Sequence, residues 1–275
     1  MTFLHHSRDL SVAGGRRSLW LLGLALTLSA TGCSEPKSGA VTFYCDGAGW
    51  YSSAGSVKAG LRGAGYEGRF QTFSWSAFLG PAHDHFVNAR SRLVARRLSR
   101  KIEDARAQDT NSPIYVIGLS AGTAVVLSAI EQLREGVQVD HVILFSPSVA
   151  AKHDLTKALR HIRGRLYATT SPNDGILAAL VINADGLGGS PAGRVGFRLP
   201  TKATKDTQAA YRRVINLPWH PSYVAFDCDG GHTSVTHAEY VKTVIAPRIL
   251  QLAPHPLDRS VVDNLLAAGS AGGEP

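Results

Sequence analysis

Residues 114–130 restrict the possible folds of this chain more than any other segment. The run IYVI at 114–117 is short, apolar and rich in β-branched residues, which is typical of a buried parallel strand. The apolar run that starts at Thr123 is long enough for a buried helix. Between them, GLSAG at 118–122 places Ser120 among small residues, as in sharp strand-to-helix turns that expose a serine in a strained backbone conformation. The pattern predicts an α/β fold and makes Ser120 a candidate nucleophile.

Strand and helix patterns alternate along the rest of the chain. We predict strands at 40–44, 69–75, 114–117, 139–145, 165–169 and 222–226, and helices at 56–64, 86–107, 123–134, 152–161 and after Thr236. Such alternation favours a mostly parallel sheet of about six strands with helices on both faces. A single domain is expected over 40–266, followed by an Ala/Gly-rich tail at 267–275 that is expected to be disordered.

The segment 182–220 departs from this alternation. Its glycine-rich part, 183–193, does not follow a predicted strand and does not end in Lys-Ser or Lys-Thr, so it is not a phosphate-binding loop. The segment is either an insertion that shapes a substrate pocket or a surface excursion.

The N-terminal residues have the pattern of an export signal. Arg16 and Arg17 precede an apolar stretch at 19–28 that is too short for an ordinary transmembrane span, so we predict a signal peptide over residues 1–32. The following ATGC ends at Cys33 and resembles the lipobox of bacterial lipoproteins. That resemblance implies lipidation of Cys33, a tether over 33–39 and anchoring in the cell envelope, at the outer membrane. The alternative is an ordinary cleavage site with an unmodified thiol.

The charge balance bears on possible partners. Twenty-nine basic residues against 21 acidic ones give a net charge of +8, and many of the basic side chains lie between 90 and 106 among helically spaced apolar residues. This predicts an amphipathic helix whose basic face is either simply solvated or contacts an anionic envelope surface. No zinc-type cysteine spacing, nucleotide loop or nucleic-acid motif accompanies the charge, so we expect no metal, no cofactor and no nucleic-acid partner.

Two cysteines, Cys45 and Cys228, remain once Cys33 is set aside. Disulfides persist in exported proteins, and two cysteines allow a single pairing. The sequence therefore permits a Cys45–Cys228 bridge, and it equally permits two free thiols.

A serine nucleophile needs a base to accept its proton and an acid to hold that base. Asp174 follows the predicted strand 165–169, and His232 follows the predicted strand 222–226. Both positions are carboxyl ends of strands, where open α/β sheets place their chemistry. With the turn at Ser120, this order resembles the α/β-hydrolase superfamily across most of the predicted domain. The resemblance implies that Ser120 is the nucleophile, His232 the general base and acid, and Asp174 the carboxylate that orients His232.

Other residues compete for two of these roles. His220 precedes the predicted strand 222–226, and His237 lies in the helix that follows, whereas His232 lies in the loop between them. Asp227 and Asp229 are close to His232 in sequence, and Asp154 follows the preceding strand at a distance. A turn role for the Asn173-Asp174-Gly175 segment also stays open.

The same resemblance implies two backbone N–H groups that stabilise a developing oxyanion. Ala121, directly after the nucleophile, supplies one. The other is expected from the loop after the first strand, where Asp46-Gly47-Ala48 stands and Asp46 occupies the position at which the family usually has histidine. We expect Ala48 to be the donor, with Gly47 next. An ordinary glycine-rich turn is the alternative.

Three functions are compatible with these residues. The first is a cell-envelope serine hydrolase that cleaves an ester or related acyl bond, in a small molecule or a lipid, through an acyl-enzyme. The second is an acyltransferase or thioesterase with the same triad. The third is a non-catalytic envelope lipoprotein that uses the hydrolase fold as a binding scaffold, since fold and function are separable.

Overall fold

A computed structural model describes residues 39–48, 52–75, 88–180, 188–253 and 256–258. In this part of the chain, one parallel sheet has the strand order β2-β1-β3-β4-β5-β6. The strands are β1 Val41–Cys45, β2 Arg69–Thr72, β3 Ile114–Leu119, β4 His141–Phe145, β5 Leu166–Thr170 and β6 Val214–Pro218. The predicted parallel sheet of six strands is confirmed, and the carboxyl ends of all six strands lie along one edge.

Helices connect the strands. They are α1 Ala54–Gly63, α2 Asn88–Gln108, α3 Gly122–Ile130, α4 Thr156–Arg160, α5 Gly175–Ala178, α6 Ala192–Val195, α7 Lys205–Tyr211, α8 Ala238–Tyr240 and α9 Ala246–Leu250. A π-helix, Val241–Ile245, joins α8 to α9, and two 3-10 helices cover Pro221–Phe226 and Ser234–Thr236. Pro247 lies in the first turn of α9, directly after the π-helix, where proline is tolerated.

Side chains of successive strand residues enter two separate apolar clusters, one on each face of the sheet. In β1, Phe43 belongs to the cluster that contains α2 and α3, whereas Tyr44 belongs to the cluster that contains α1 and the C-terminal helices. In β3, Val116 and Ile117 divide in the same way. This period-two alternation follows from strand geometry, and it buries the sheet from both sides as predicted.

The sixth strand is not where the sequence pattern placed it. The predicted strand 222–226 lies in the 3-10 helix Pro221–Phe226, whose first turn holds a proline and whose start is capped by the side chain of His220. The strand that pairs with β5 is β6, within the segment 182–220. The segment 182–220 therefore contains α6, α7 and the edge strand β6. Residues 181–187 lie outside the described residues.

The possible bridge between Cys45 and Cys228 is not formed. Both cysteines are buried free thiols. Cys45 belongs to the cluster around Phe43, whereas Cys228 belongs to the opposite cluster and contacts Ser234 Oγ at 3.5 Å. The two side chains thus lie on opposite sides of the sheet. Burial raises the pKa of both thiols.

The predicted basic helix is α2. Leu98 and Ile102 on its inner side are fully buried, and its exposed side carries several cations: Arg92, Arg96, Arg97, Arg100 and Lys101. The predicted signal peptide 1–32, Cys33, the tether up to residue 38 and the tail 267–275 lie outside the described residues. Within the described ranges, no helix combines the length and the apolar character needed to cross a membrane.

Candidate active site

A sharp turn between β3 and α3 carries Ser120 at the carboxyl edge of the sheet. The φ angle of Ser120 is +52°, in the left-handed region that residues with a Cβ rarely adopt. Two backbone hydrogen bonds hold it there: Ser120 N donates to Phe145 O at 2.9 Å, and Thr123 N donates to Ser120 O at 3.0 Å. The turn therefore has the strained conformation that the glycine-flanked serine predicts.

The glycines around Ser120 permit close backbone contacts. A Cβ at Gly122 would lie 2.3 Å from Asp46 O, so only glycine lets the start of α3 contact the loop after β1. A Cβ at Gly118 would lie 3.0 Å from Val126 Cγ2. In the loop after β1, a Cβ at Gly47 would lie 3.4 Å from Ser120 Cβ. The loop after β1 consequently runs directly beside the serine.

Asp174 and His232 contact each other through their side chains. Asp174 Oδ2 lies 2.7 Å from His232 Nδ1, with the two side chains only 1% and 8% exposed. Asp174 Oδ1 accepts a hydrogen bond from Leu177 N at 2.9 Å and so caps α5. Since a carboxylate can only accept, Nδ1 of His232 carries the proton, and in a neutral imidazole Nε2 then keeps its lone pair. This is the tautomer that a general base requires.

Phe145 and Ser146, at the end of β4, link the serine turn to the histidine loop. Phe145 O accepts the Ser120 N–H, and Ser146 Oγ donates to the backbone oxygen of His232 at 2.8 Å. Ser146 is itself left-handed, with φ +42°, and its N–H donates to Thr169 Oγ1 at 2.9 Å. Ser120 and His232 are thus both bonded to one short segment at the carboxyl edge.

The sequence pattern does not single out Ser146. A serine after a buried strand is common, and neither its positive φ nor its contact with a residue 86 positions away leaves a local sequence signal. Glycine would adopt the left-handed conformation of this buried position more easily than serine. A serine here is therefore best explained by the hydrogen bond that its hydroxyl donates to His232 O.

The candidate oxyanion donors flank Ser120. Ala121 follows the serine as the N-cap residue of α3 and is buried. Gly47 and Ala48 lie in the loop after β1, and Ala48 packs against the cluster that contains α3. The structure therefore brings the two predicted donor segments to the same side of the sheet edge.

The alternative acids and bases serve local structure. His220 Nδ1 contacts the hydroxyl of a residue two positions later at 2.9 Å, and His237 Nδ1 contacts Asp227 O at 2.6 Å. Asp154 and Asp229 each accept a bond from a backbone N–H two positions later. Across the described part of the chain, no cluster of three or more His, Cys, Asp or Glu side chains could hold a metal ion.

Solved structures of a lipase, an esterase and a cutinase-like protein are similar to this fold. Lipase B of Aspergillus fumigatus matches with a TM-score of 0.50 and 12% identity, over 82% of this chain and 56% of the lipase. An esterase of Pyrococcus furiosus matches with a TM-score of 0.46 and 12% identity, over 78% of this chain and 84% of the esterase. A cutinase-like protein from Cryptococcus sp. matches with a TM-score of 0.42 and 15% identity, over 78% and 94%.

This chain spans only 56% of the length of lipase B. No protein-family model matches the sequence, and no curated protein matches it. The resemblance therefore concerns the fold, and it agrees with the parallel sheet and the strand–turn–helix at Ser120. From the sheet and the similarity to lipase B, we conclude that the chain has the α/β-hydrolase fold.

Proposed function

We propose that the protein is a serine hydrolase that cleaves an ester or related acyl bond. The observation that carries this proposal is the 2.7 Å contact between Asp174 and His232, which leaves the Nε2 lone pair of His232 available as a base. The left-handed turn at Ser120 and the shared contacts of Ser120 and His232 with residues 145–146 add support. A fold shared with a lipase is consistent with this class of reaction.

In the proposed reaction, Ser120 Oγ attacks the acyl carbonyl while His232 Nε2 takes the hydroxyl proton. The Asp174 carboxylate stabilises the imidazolium that forms. The backbone N–H groups of Ala121 and Ala48 donate to the oxygen that becomes negatively charged. The N–H of Gly47 is the alternative to that of Ala48. The leaving group departs with the proton from His232, and an acyl group remains on Ser120. Water, deprotonated by His232, then releases the acid and restores the enzyme.

The proposal is tested by reaction with a fluorophosphonate probe, which phosphonylates activated serines. We expect stoichiometric labelling of the folded full-length protein, mapped to Ser120 by peptide mass spectrometry. Heat-denatured protein is the control, because it keeps the same serine without its base. If the folded protein remains unlabelled, the hydrolase proposal is wrong and a binding scaffold becomes the better explanation.

For a labelled protein, a screen of acyl esters and thioesters identifies the substrate. Added alcohol or amine acceptors distinguish hydrolysis from acyl transfer.

We further propose that the protein is exported and anchored through lipidated Cys33 in the cell envelope, at the outer membrane. The support is the sequence itself: the arginine pair 16–17, the apolar stretch 19–28 and the small residues before Cys33. Growth of an expressing bacterium with an alkyne-tagged fatty acid should label the wild type and Cys45→Ser. Cys33→Ser should remain unlabelled. Persistent labelling of Cys33→Ser would show that the acyl group lies on another residue, and an unlabelled wild type would show that the protein is not acylated.

A further inference from the structure

The carboxylate of Asp46 is the centre of a hydrogen-bonded cluster directly after β1. Its Oδ1 accepts from Ser53 Oγ at 2.8 Å and from Ser53 N at 3.1 Å, and its Oδ2 accepts from Ser52 Oγ at 3.0 Å. The buried Tyr44 hydroxyl donates to Oδ1 at 3.2 Å. Ser53 is the N-cap residue of α1. Asp46 therefore ties the end of β1 to the start of α1.

The backbone of Asp46 is fixed from a second side. Its carbonyl oxygen accepts a hydrogen bond from Trp75 Nε1 at 2.6 Å and lies against Gly122, where a Cβ would come within 2.3 Å. The next residue, Gly47, lies beside Ser120, since a Cβ there would be 3.4 Å from Ser120 Cβ. The contacts of Asp46 thus determine where the backbone of residues 47 and 48 lies relative to the serine.

We propose that Asp46 is a positioning residue that holds the backbone N–H groups of Gly47 and Ala48 beside Ser120. The inference deepens the proposed function and rests on it. A carboxylate suits this role because it only accepts, and here it faces hydroxyl and backbone donors. Stabilisation of an oxyanion depends on donors held 2.7–3.1 Å from the oxygen, so a loop released from its anchors loses rate without losing ground-state binding.

The experiment compares Asp46→Ala with a matched control, Asp109→Ala. Asp109 also accepts from two backbone N–H groups and a serine hydroxyl, but it precedes β3 at the amino edge of the sheet, opposite Ser120. Steady-state hydrolysis of a p-nitrophenyl ester and the rate of fluorophosphonate labelling are measured for both variants and the wild type. Thermal unfolding of each variant verifies that it is folded at the assay temperature.

We expect Asp46→Ala to lower kcat and the labelling rate by about 10²–10³-fold, the loss typical of one oxyanion donor, with KM within about threefold of wild type. Asp46→Asn should recover most of that loss. The amide oxygen of asparagine can still accept from Ser53 N, and its amide NH₂ group can donate to Ser52 Oγ. Asp109→Ala should leave kcat unchanged. Backbone hydrogen exchange in the peptide 45–53 should be faster than in the wild type for Asp46→Ala and unchanged for Asp109→Ala.

Two results would overturn the inference alone: a labelled wild type with unchanged rates in Asp46→Ala, or an equal kcat loss in Asp109→Ala. A folded wild type that fails to label overturns the proposed function, and this inference falls with it. If Asp46→Ala does not fold, Trp75→Phe replaces it, since that change removes the N–H that donates to Asp46 O and keeps an aromatic ring where Trp75 packs against the core. We then expect a loss of about tenfold in kcat, and an unchanged kcat would overturn the inference.

Discussion

Ser120→Ala is expected to lower kcat for ester hydrolysis by about 10⁶-fold and to abolish fluorophosphonate labelling. The reason is that alanine lacks the hydroxyl that attacks the carbonyl in the proposed reaction, while the backbone contacts to Phe145 and Thr123 remain. Initial rates at saturating ester, together with intact-protein mass after labelling, measure the effect.

Ser128→Ala is the matched control for Ser120→Ala. Ser128 is a partly buried serine on α3, and its hydroxyl accepts from Gln132 Nε2 at 3.1 Å without contacting the described parts of the site. It should retain wild-type rates and labelling. Residual labelling of Ser120→Ala, or its loss in Ser128→Ala, would mean that the nucleophile is a different residue.

Asp174→Asn is expected to lower kcat by about 10⁴-fold while the protein stays folded. The backbone N–H of Leu177 donates to Oδ1 of Asp174, so the amide oxygen of asparagine should take that position. The amide NH₂ group of asparagine should then face His232 Nδ1. Nδ1 would then accept, the proton would move to Nε2, and the ring could no longer take the serine proton.

The pair Asp174→Asn and Asp154→Asn separates this tautomer effect from a general loss of charge. Asp154, an alternative acid in the sequence, accepts from the backbone N–H and the hydroxyl of Thr156 and lies beside Tyr211, away from His232, so its substitution should leave kcat near wild type. Steady-state kinetics and thermal unfolding are measured for both. A kcat of Asp174→Asn within tenfold of wild type would contradict the orienting role, as would a large loss in Asp154→Asn.

Local sequence patterns predicted the elements that they encode directly. Residues 114–130 form β3, the turn and α3 because a short β-branched run, a glycine-flanked serine and an apolar run each specify one backbone conformation. Asp174 and His232, 58 positions apart, were paired from their chain order and their loop positions. The edge strand was missed because edge strands are half exposed: β6 has only Leu217 buried, whereas SYVAF at 222–226 is more apolar.

Contacts between distant segments explain the other errors and omissions. Cys45 and Cys228 are the only two cysteines after residue 33, yet strand alternation places them on opposite faces of the sheet. The partners of Ser146 are 23 and 86 positions away, and Trp75 meets Asp46 across 29 residues. No local pattern encodes such contacts, because they exist only once the strands are aligned in register.

The left-handed serines at 120 and 146 have a consequence for laboratory evolution. Each non-glycine residue in this conformation costs about 1–3 kcal/mol, a sizeable part of the roughly 5–15 kcal/mol by which domains are stable. Glycine would relieve that cost at both positions, but at 146 it would also remove the buried hydroxyl that donates to His232 O. A library selected for heat resistance alone should therefore accumulate glycine at 120 and lose activity, whereas a library that must also turn over ester should keep serine at 120.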